Sequence, residues 1–159
     1  LSEEESNIIR LASPMHDIGK IGIPDSILNK PGKLTPEEFA IIKTHAAIGY
    51  EVLKRSNRNI MKTAAIIAHE HHERWDGTGY PRGLCGENIS ISARITAVAD
   101  VYDALAQKRI YKDAWADEEI EIYIKENSGK FFDPILVDLL FDNLNAIKII
   151  KNEYPNDNQ

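Results

Sequence analysis

Apolar residues in this chain recur three and four positions apart, and no stretch alternates apolar with polar residues as a half-buried strand would. A chain so patterned must bury helix against helix. The clearest start signal is Thr35-Pro36-Glu37-Glu38, with Thr35 as N-cap, Pro36 at the first helical position and Glu38 closing a capping box. Phe39, Ile42, Ala46 and Leu53 follow at helical spacing, with His45 on the neighbouring stripe. Ser2 and Glu5 open an earlier helix whose apolar face (Ile8, Ile9, Leu11, Ala12, Met15) runs to His16-Asp17, with Gly19 as its stop. Pro24-Asp25 begins a short turn or helix that Pro31-Gly32 closes. A further helix, Asn59 to His71, carries Ile60, Ala64, Ile67 and Ala68. Ser92 opens the next with Ile95, Val98, Ala99, Tyr102 and Leu105, and Asp117 caps one that Gly129 ends. Asp133-Pro134 starts the last, striped by Ile135, Leu139, Leu140, Leu144 and Ile147. The expected fold class is all-α: a helical bundle over residues 1–154 with 155–159 as a tail, a length suited to one core.

One segment breaks this pattern. Between Glu73 and Ile91 stand Gly77, Gly79, Gly83 and Gly86, four of the nine glycines, together with Pro81. A loop of this length inside a compact domain is usually functional. It is entered through His71-His72-Glu73, where two adjacent imidazoles can converge on one site because the backbone need not stay helical. Imidazole is the commonest metal ligand.

The candidate donors are His16, Asp17, His45, His71, His72 and Asp100, each at the end or inner face of a helix. A mixed imidazole and carboxylate set suits iron, manganese or zinc rather than the all-oxygen shells of calcium and magnesium. Asp17, with two carboxylate oxygens, could bridge two ions. A pair of ions ~3.5–4 Å apart can hold a phosphoryl oxygen and acidify a water, the apparatus of a phosphodiesterase. Asp100 interrupts an otherwise apolar helix face, and a buried carboxylate needs a cation or metal partner. Taken singly, His45 reads as readily as a packed core histidine. Glu73 is a metal neighbour or a solvated loop end, and His69 a surface or outer residue.

Net charge −6 makes the surface as a whole repel polymeric nucleic acid and anionic lipid, so an anionic ligand needs metal ions and local cations to reverse the field. No apolar run approaches the ~20 residues of a membrane span, and no secretory signal pattern opens the chain. The lone Cys85 forms no internal disulfide, in keeping with a cytoplasmic location.

HDIGKIGIPD, KPGKLTPEE, KTHAAIGYEVL, HHERWDGTGYPRGLCGE and ARITAVADVYDAL followed by RIYK come in one order. Together, from about Ala12 to Pro134, they resemble the HD-GYP subgroup of the HD superfamily of metal-dependent phosphohydrolases. The resemblance implies a single HD-type domain that hydrolyses the bacterial second messenger cyclic di-GMP to pGpG, GMP or both. It implies an iron or manganese centre of two or three ions. His16, Asp17, His45, His71, His72 and Asp100 match the family's ligands, and Lys20 matches the lysine near the scissile phosphate. Asp103, Arg109 and Lys112 match substrate contacts. The family usually carries a further ligand-bearing helix before the HD motif. No histidine precedes His16 here, so either that helix lies outside this sequence or it is absent, which leaves the choice between two ions and three open. Ser90 stands where the family more often has proline.

Two other functions fit the same residues. The loop at Gly79-Tyr80-Pro81 could dock diguanylate cyclases, or receiver and sensor domains, around a vestigial or structural metal site, with Tyr80 as an exposed anchor or as a lock against the core. The substrate could also be another cyclic dinucleotide such as cyclic GMP-AMP.

Overall fold

The structure, a computed structural model, describes residues 1–107 and 115–153. Its helices are α1 (Glu3–Ala12), α2 (Asp25–Leu28), α3 (Pro36–Lys43), α4 (His45–Leu53), α5 (Asn59–Glu70), α6 (Ile91–Ala106), α7 (Asp117–Glu126), α8 (Pro134–Asp142) and α9 (Leu144–Glu153). Short 3-10 turns at Ser13–Met15, Ile18–Gly22 and Gly86–Asn88 join them. The only extended pairing among the described residues is an isolated bridge between Ser128 and Phe132. The all-α expectation therefore holds. No helix among the described residues is long and apolar enough to cross a membrane. The tail at 155–159, and the RIYK run with Arg109 and Lys112, lie outside the described residues.

Both capping boxes form as read: Ser2 with Glu5 and Thr35 with Glu38 exchange backbone and side-chain hydrogen bonds. Asp133 caps α8, its carboxylate accepting from the Ile135 N–H. Two helices expected to be continuous are broken. At Thr44 the backbone N–H and the hydroxyl both bond the Ile41 carbonyl, tightening the turn and ending α3. The shift in phase turns His45 inward while Phe39 stays 47 % exposed. At Asn143 the side-chain amide bonds the Leu139 carbonyl, competing with the backbone ladder, and α8 ends there. Val137 becomes the buried residue of α8, whereas Ile135 and Leu139, expected in the stripe, are exposed. Other starts moved by one or two residues, α6 beginning at Ile91 and α7 with Ala116 as its cap.

The core has two parts. Ala12, Leu53, Ala64, Ala65, Ile67 and Ala68 pack α1, α4 and α5, and Val98, Tyr102, Ile120, Ile124, Phe132 and Val137 pack α6, α7 and α8. The first is rich in alanine, which lets the helices come close. Gly19 belongs to this close packing and is not the helix stop expected of it. A Cβ there would lie 1.9 Å from the His45 carbonyl oxygen and 2.5 Å from the Gly49 nitrogen. The missing side chain lets the turn after His16-Asp17 lie directly on the start of α4.

Those clashes are with backbone, which cannot step aside. Gly19→Ala is expected to cost about 3 kcal/mol in urea unfolding, against about 1 for Gly86→Ala, which meets only a left-handed backbone penalty. Equal losses would mean that the contact at α4 does not hold the turn.

Candidate metal centre

α1 ends at Ala12, and the chain then tightens through Ser13–Met15, which swings His16 and Asp17 off the helix axis toward α4 and α5. His45 enters at the first residue of α4, His71 and His72 at the end of α5, and Asp100 from the middle of α6. Three imidazoles are oriented in the same way. His16 Nδ1 lies 2.8 Å from the Ser13 carbonyl, His45 Nδ1 2.7 Å from that of Ile42, and His71 Nδ1 3.1 Å from those of Ile67 and Ala68. A carbonyl can only accept, so each Nδ1 carries a proton and Nε2 is the nitrogen each ring turns to the cluster, bare whenever the ring is neutral.

Those Nε2 atoms converge on Asp17. Its Oδ1 is 3.4 Å from His45 Nε2 and 3.9 Å from His71 Nε2. Its Oδ2 is 3.4 Å from His16 Nε2 and also takes an ion pair from Lys20. His16 Nε2 in turn lies 3.5 Å from Asp100 Oδ1. Asp17, His45, His71 and His72 each place one donor atom within 4.8 Å of all the others. The Nε2 atoms of His45 and His71 are 3.4 Å apart, each with its other nitrogen already donating. Two lone pairs buried face to face repel unless a cation lies between them, so the donor set fits a metal.

The electrostatics agree. Asp100 and then Asp17 bond the His16 imidazole and push its pKa up to about 10, and the same bond lowers that of Asp100. Burial would raise Asp17, but hydrogen bonds from His16 and Lys20 outweigh it and hold the carboxyl well below its usual range. Burial, reinforced by neighbouring imidazoles, lowers His71 to about 4 and His72 to about 3. Both rings are thus neutral and ready to donate at pH 7.

The loop after α5 closes one side of the site. Tyr80 stacks on His72 with ring centres 4.7 Å apart, and the Lys43 ammonium lies 5.6 Å from the Tyr80 ring. Tyr80 thus faces the cluster, and the Tyr80–Pro81 peptide beside it is cis. Glu73 is neither a metal neighbour nor a solvated loop end: it is buried, and its carboxylate accepts the N–H groups of Arg82 at 2.8 Å and Leu84 at 2.9 Å. Gly79 lies so close to Glu73 that a Cβ would meet the Glu73 Cα at 2.5 Å. Glu70 was missed by the sequence reading. Its buried carboxylate pairs with Arg82 and accepts the Ser90 N–H at 2.8 Å, a bond that a proline at 90 could not make. A carboxylate ending an otherwise apolar helix face was the available signal. His69 stacks on Tyr50, away from the cluster. Asp103 is exposed and accepts from the Gln107 side chain, one turn beyond Asp100.

An all-helical domain with imidazoles and carboxylates gathered from four parts of the chain is a divalent-metal domain in its donor set. The HD domain family matches residues 1–136, and the chain belongs to that family, in agreement with the HD-GYP resemblance. It is 50 % identical over 155 residues to the 3'3'-cGAMP-specific phosphodiesterase 2 of Vibrio cholerae, covering 98 % of this chain and 30 % of that protein. It is 54 % identical over 140 residues to the cyclic di-GMP phosphodiesterase response regulator RpfG of Xanthomonas campestris, covering 88 % and 37 %. Against the cyclic di-GMP phosphodiesterase of Thermotoga maritima the identity is 53 % over 138 residues, covering 87 % and 38 %. The chain thus spans about a third of the length of these relatives. A crystal structure of a cyclic GMP-AMP specific phosphodiesterase from V. cholerae shares the fold, with a TM-score of 0.70 at 21 % identity over 99 % of this chain and 42 % of the other.

The shifted imidazoles set a pH window for the metal-free protein. Below about pH 6.5 the unfolded chain takes protons that His71 and His72 refuse in the fold, so stability falls as pH falls. The His16 contribution is full below about 6.5 and is lost as pH rises toward its folded value near 10. Thermal melts of chelated protein are therefore expected to peak near pH 6.5, with the acid limb flattened in His72→Asn. A melting temperature that climbs steadily to pH 9 would contradict the His16 assignment.

Proposed function

We propose that this chain is the hydrolase domain of a metal-dependent phosphodiesterase that cleaves cyclic di-GMP to pGpG, GMP or both in cytoplasmic bacterial signalling. The observation that carries this reading is the Asp17 carboxylate, one oxygen facing His45 and His71 and the other facing His16. Asp17 with His45, His71 and His72 would hold one divalent ion, and Asp17 with His16 and Asp100 a second. Such ions, when bound, polarise a phosphodiester oxygen and acidify the attacking water. Nitrogen and oxygen donors without thiolate favour iron or manganese, and a third ion would draw on ligands beyond this set.

The chain's own groups complete the chemistry. Lys20 sets an ammonium against Asp17, beside where the phosphoryl oxygens gather charge, and so stabilises the transition state. The Asp17 carboxylate keeps that ammonium in place. Tyr80, stacked on His72, shields the cluster on the loop side. Asp103, Arg109 and Lys112 are proposed substrate contacts by family resemblance. Relatives at 53 % and 54 % identity that are named cyclic di-GMP phosphodiesterases support the substrate.

A second substrate, 3'3'-cyclic GMP-AMP, is favoured by the relative of that specificity, which is 50 % identical across 98 % of this chain. Docking of diguanylate cyclases or of receiver and sensor domains through Gly79, Tyr80 and Pro81 has less support, because Tyr80 turns onto His72.

Turnover of cyclic di-GMP and 3'3'-cyclic GMP-AMP by anaerobically purified protein, with metal analysis, tests the reading. Chelation is expected to abolish hydrolysis, and manganese or ferrous iron to restore it where calcium does not. Asp17→Asn is expected to remove turnover together with bound metal. Lys20→Ala should lower kcat by about 10²–10³ while metal stays bound. Metal-loaded protein that leaves both dinucleotides intact would overturn the proposal.

A further inference from the structure

Beside His71 and His72 a cleft of about 150 Å³ opens, lined also by Asp100, Arg74, Tyr123 and Phe131. His71, His72 and Asp100 of the donor cluster thus share this cleft with Arg74, which is exposed. The Arg74 guanidinium lies 3.8 Å from the centre of the Phe131 ring. Main-chain hydrogen bonds fix this pairing: Trp75 donates to the Phe131 carbonyl at 3.2 Å and Asp76 to that of Lys130 at 2.8 Å. The stack is therefore held by the backbone on both sides.

Nearby arginines are committed elsewhere, Arg82 to Glu70 and Arg94 to Asp133. Among the described residues the Arg74 side chain makes no ion pair or hydrogen bond. Stacking occupies the face of a guanidinium and leaves its edge donors free. Two parallel N–H groups match the adjacent O6 and N7 acceptors of guanine. On adenine one of them would meet the N6 amino group, donor against donor.

We propose that Arg74, stacked on Phe131, reads the guanine edge of the base lying next to the metal cluster and sets a preference for guanine over adenine there. The assignment rests on the phosphodiesterase reading above. It makes Arg74 a specificity residue, set apart from the ligands and from Lys20.

The test compares metal-loaded wild type, Arg74→Gln and Arg74→Lys on cyclic di-GMP, cyclic di-AMP and bis(p-nitrophenyl) phosphate, which carries no base. Arg74→Gln is expected to raise KM for cyclic di-GMP about tenfold or more and to narrow its advantage over cyclic di-AMP, since glutamine pairs with adenine. The loss in kcat/KM should be far larger on cyclic di-GMP than on the baseless diester. Arg74→Lys keeps the charge but not the planar fork, and should move KM in the same direction. An unchanged KM for cyclic di-GMP in Arg74→Gln would overturn the assignment. So would an equal loss on both cyclic dinucleotides, which marks a phosphate contact, or an equal loss on the baseless diester, which marks a disturbed metal site. Wild type that cleaves the baseless diester but neither cyclic dinucleotide would instead remove the underlying reading, and the guanine assignment with it.

Discussion

The Asp17 carboxylate shares its two oxygens between separate groups of imidazole nitrogens, and the rest of the molecule is arranged so that each ring turns its Nε2 toward it. Each of three rings spends its Nδ1 proton on a carbonyl three or four residues back on its own segment. Helix ends and turns make this possible, because a carbonyl there that accepts one backbone N–H, as Ser13 and Ile67 do from His16 and His71, keeps a second lone pair open to a side chain. Placing histidines at helix ends therefore does two things at once. It uses the second lone pair of a nearby carbonyl and fixes the Nδ1 proton, which leaves Nε2 for a metal.

That arrangement concentrates bare lone pairs in a poorly solvated place. The cost appears as depressed basicity at His71 and His72 and as a proton held tightly between His16 and Asp100. Divalent ions bound here would relieve both strains and so couple metal binding to folding. The packing around the cluster is correspondingly tight. Gly19 rests on the His45 carbonyl and Gly79 on the Glu73 backbone, which ties the HD turn to α4 and the glycine-rich loop to the end of α5.

The loop is held by charge as well as by packing. Glu70 and Glu73 hold Arg82, Leu84 and Ser90 between them, so the segment that carries Tyr80 folds back across His72. A carboxylate accepting backbone N–H groups is among the stronger neutral-donor contacts available to a loop without secondary structure. With Arg74 on Phe131 and Lys43 by Tyr80, cations surround a cluster set in a protein of net charge −6.

The sequence alone determined that the chain is helical, where α1, α3 and α8 begin, and which six side chains could serve a metal. Period and capping chemistry are local properties, and the HD, HHE and GYP motifs are read in order along the chain. What it could not determine was the break at Thr44, the reversal of Glu73 from a loop end to a buried clasp, or the part played by Glu70. The placement of Arg74 on Phe131, 57 positions away, was equally out of reach. Each of these depends on which distant backbone group a side chain meets, and that is decided only when the helices pack. Adjacent histidines announce themselves in sequence, whereas the direction in which their lone pairs point is a property of the tertiary structure alone.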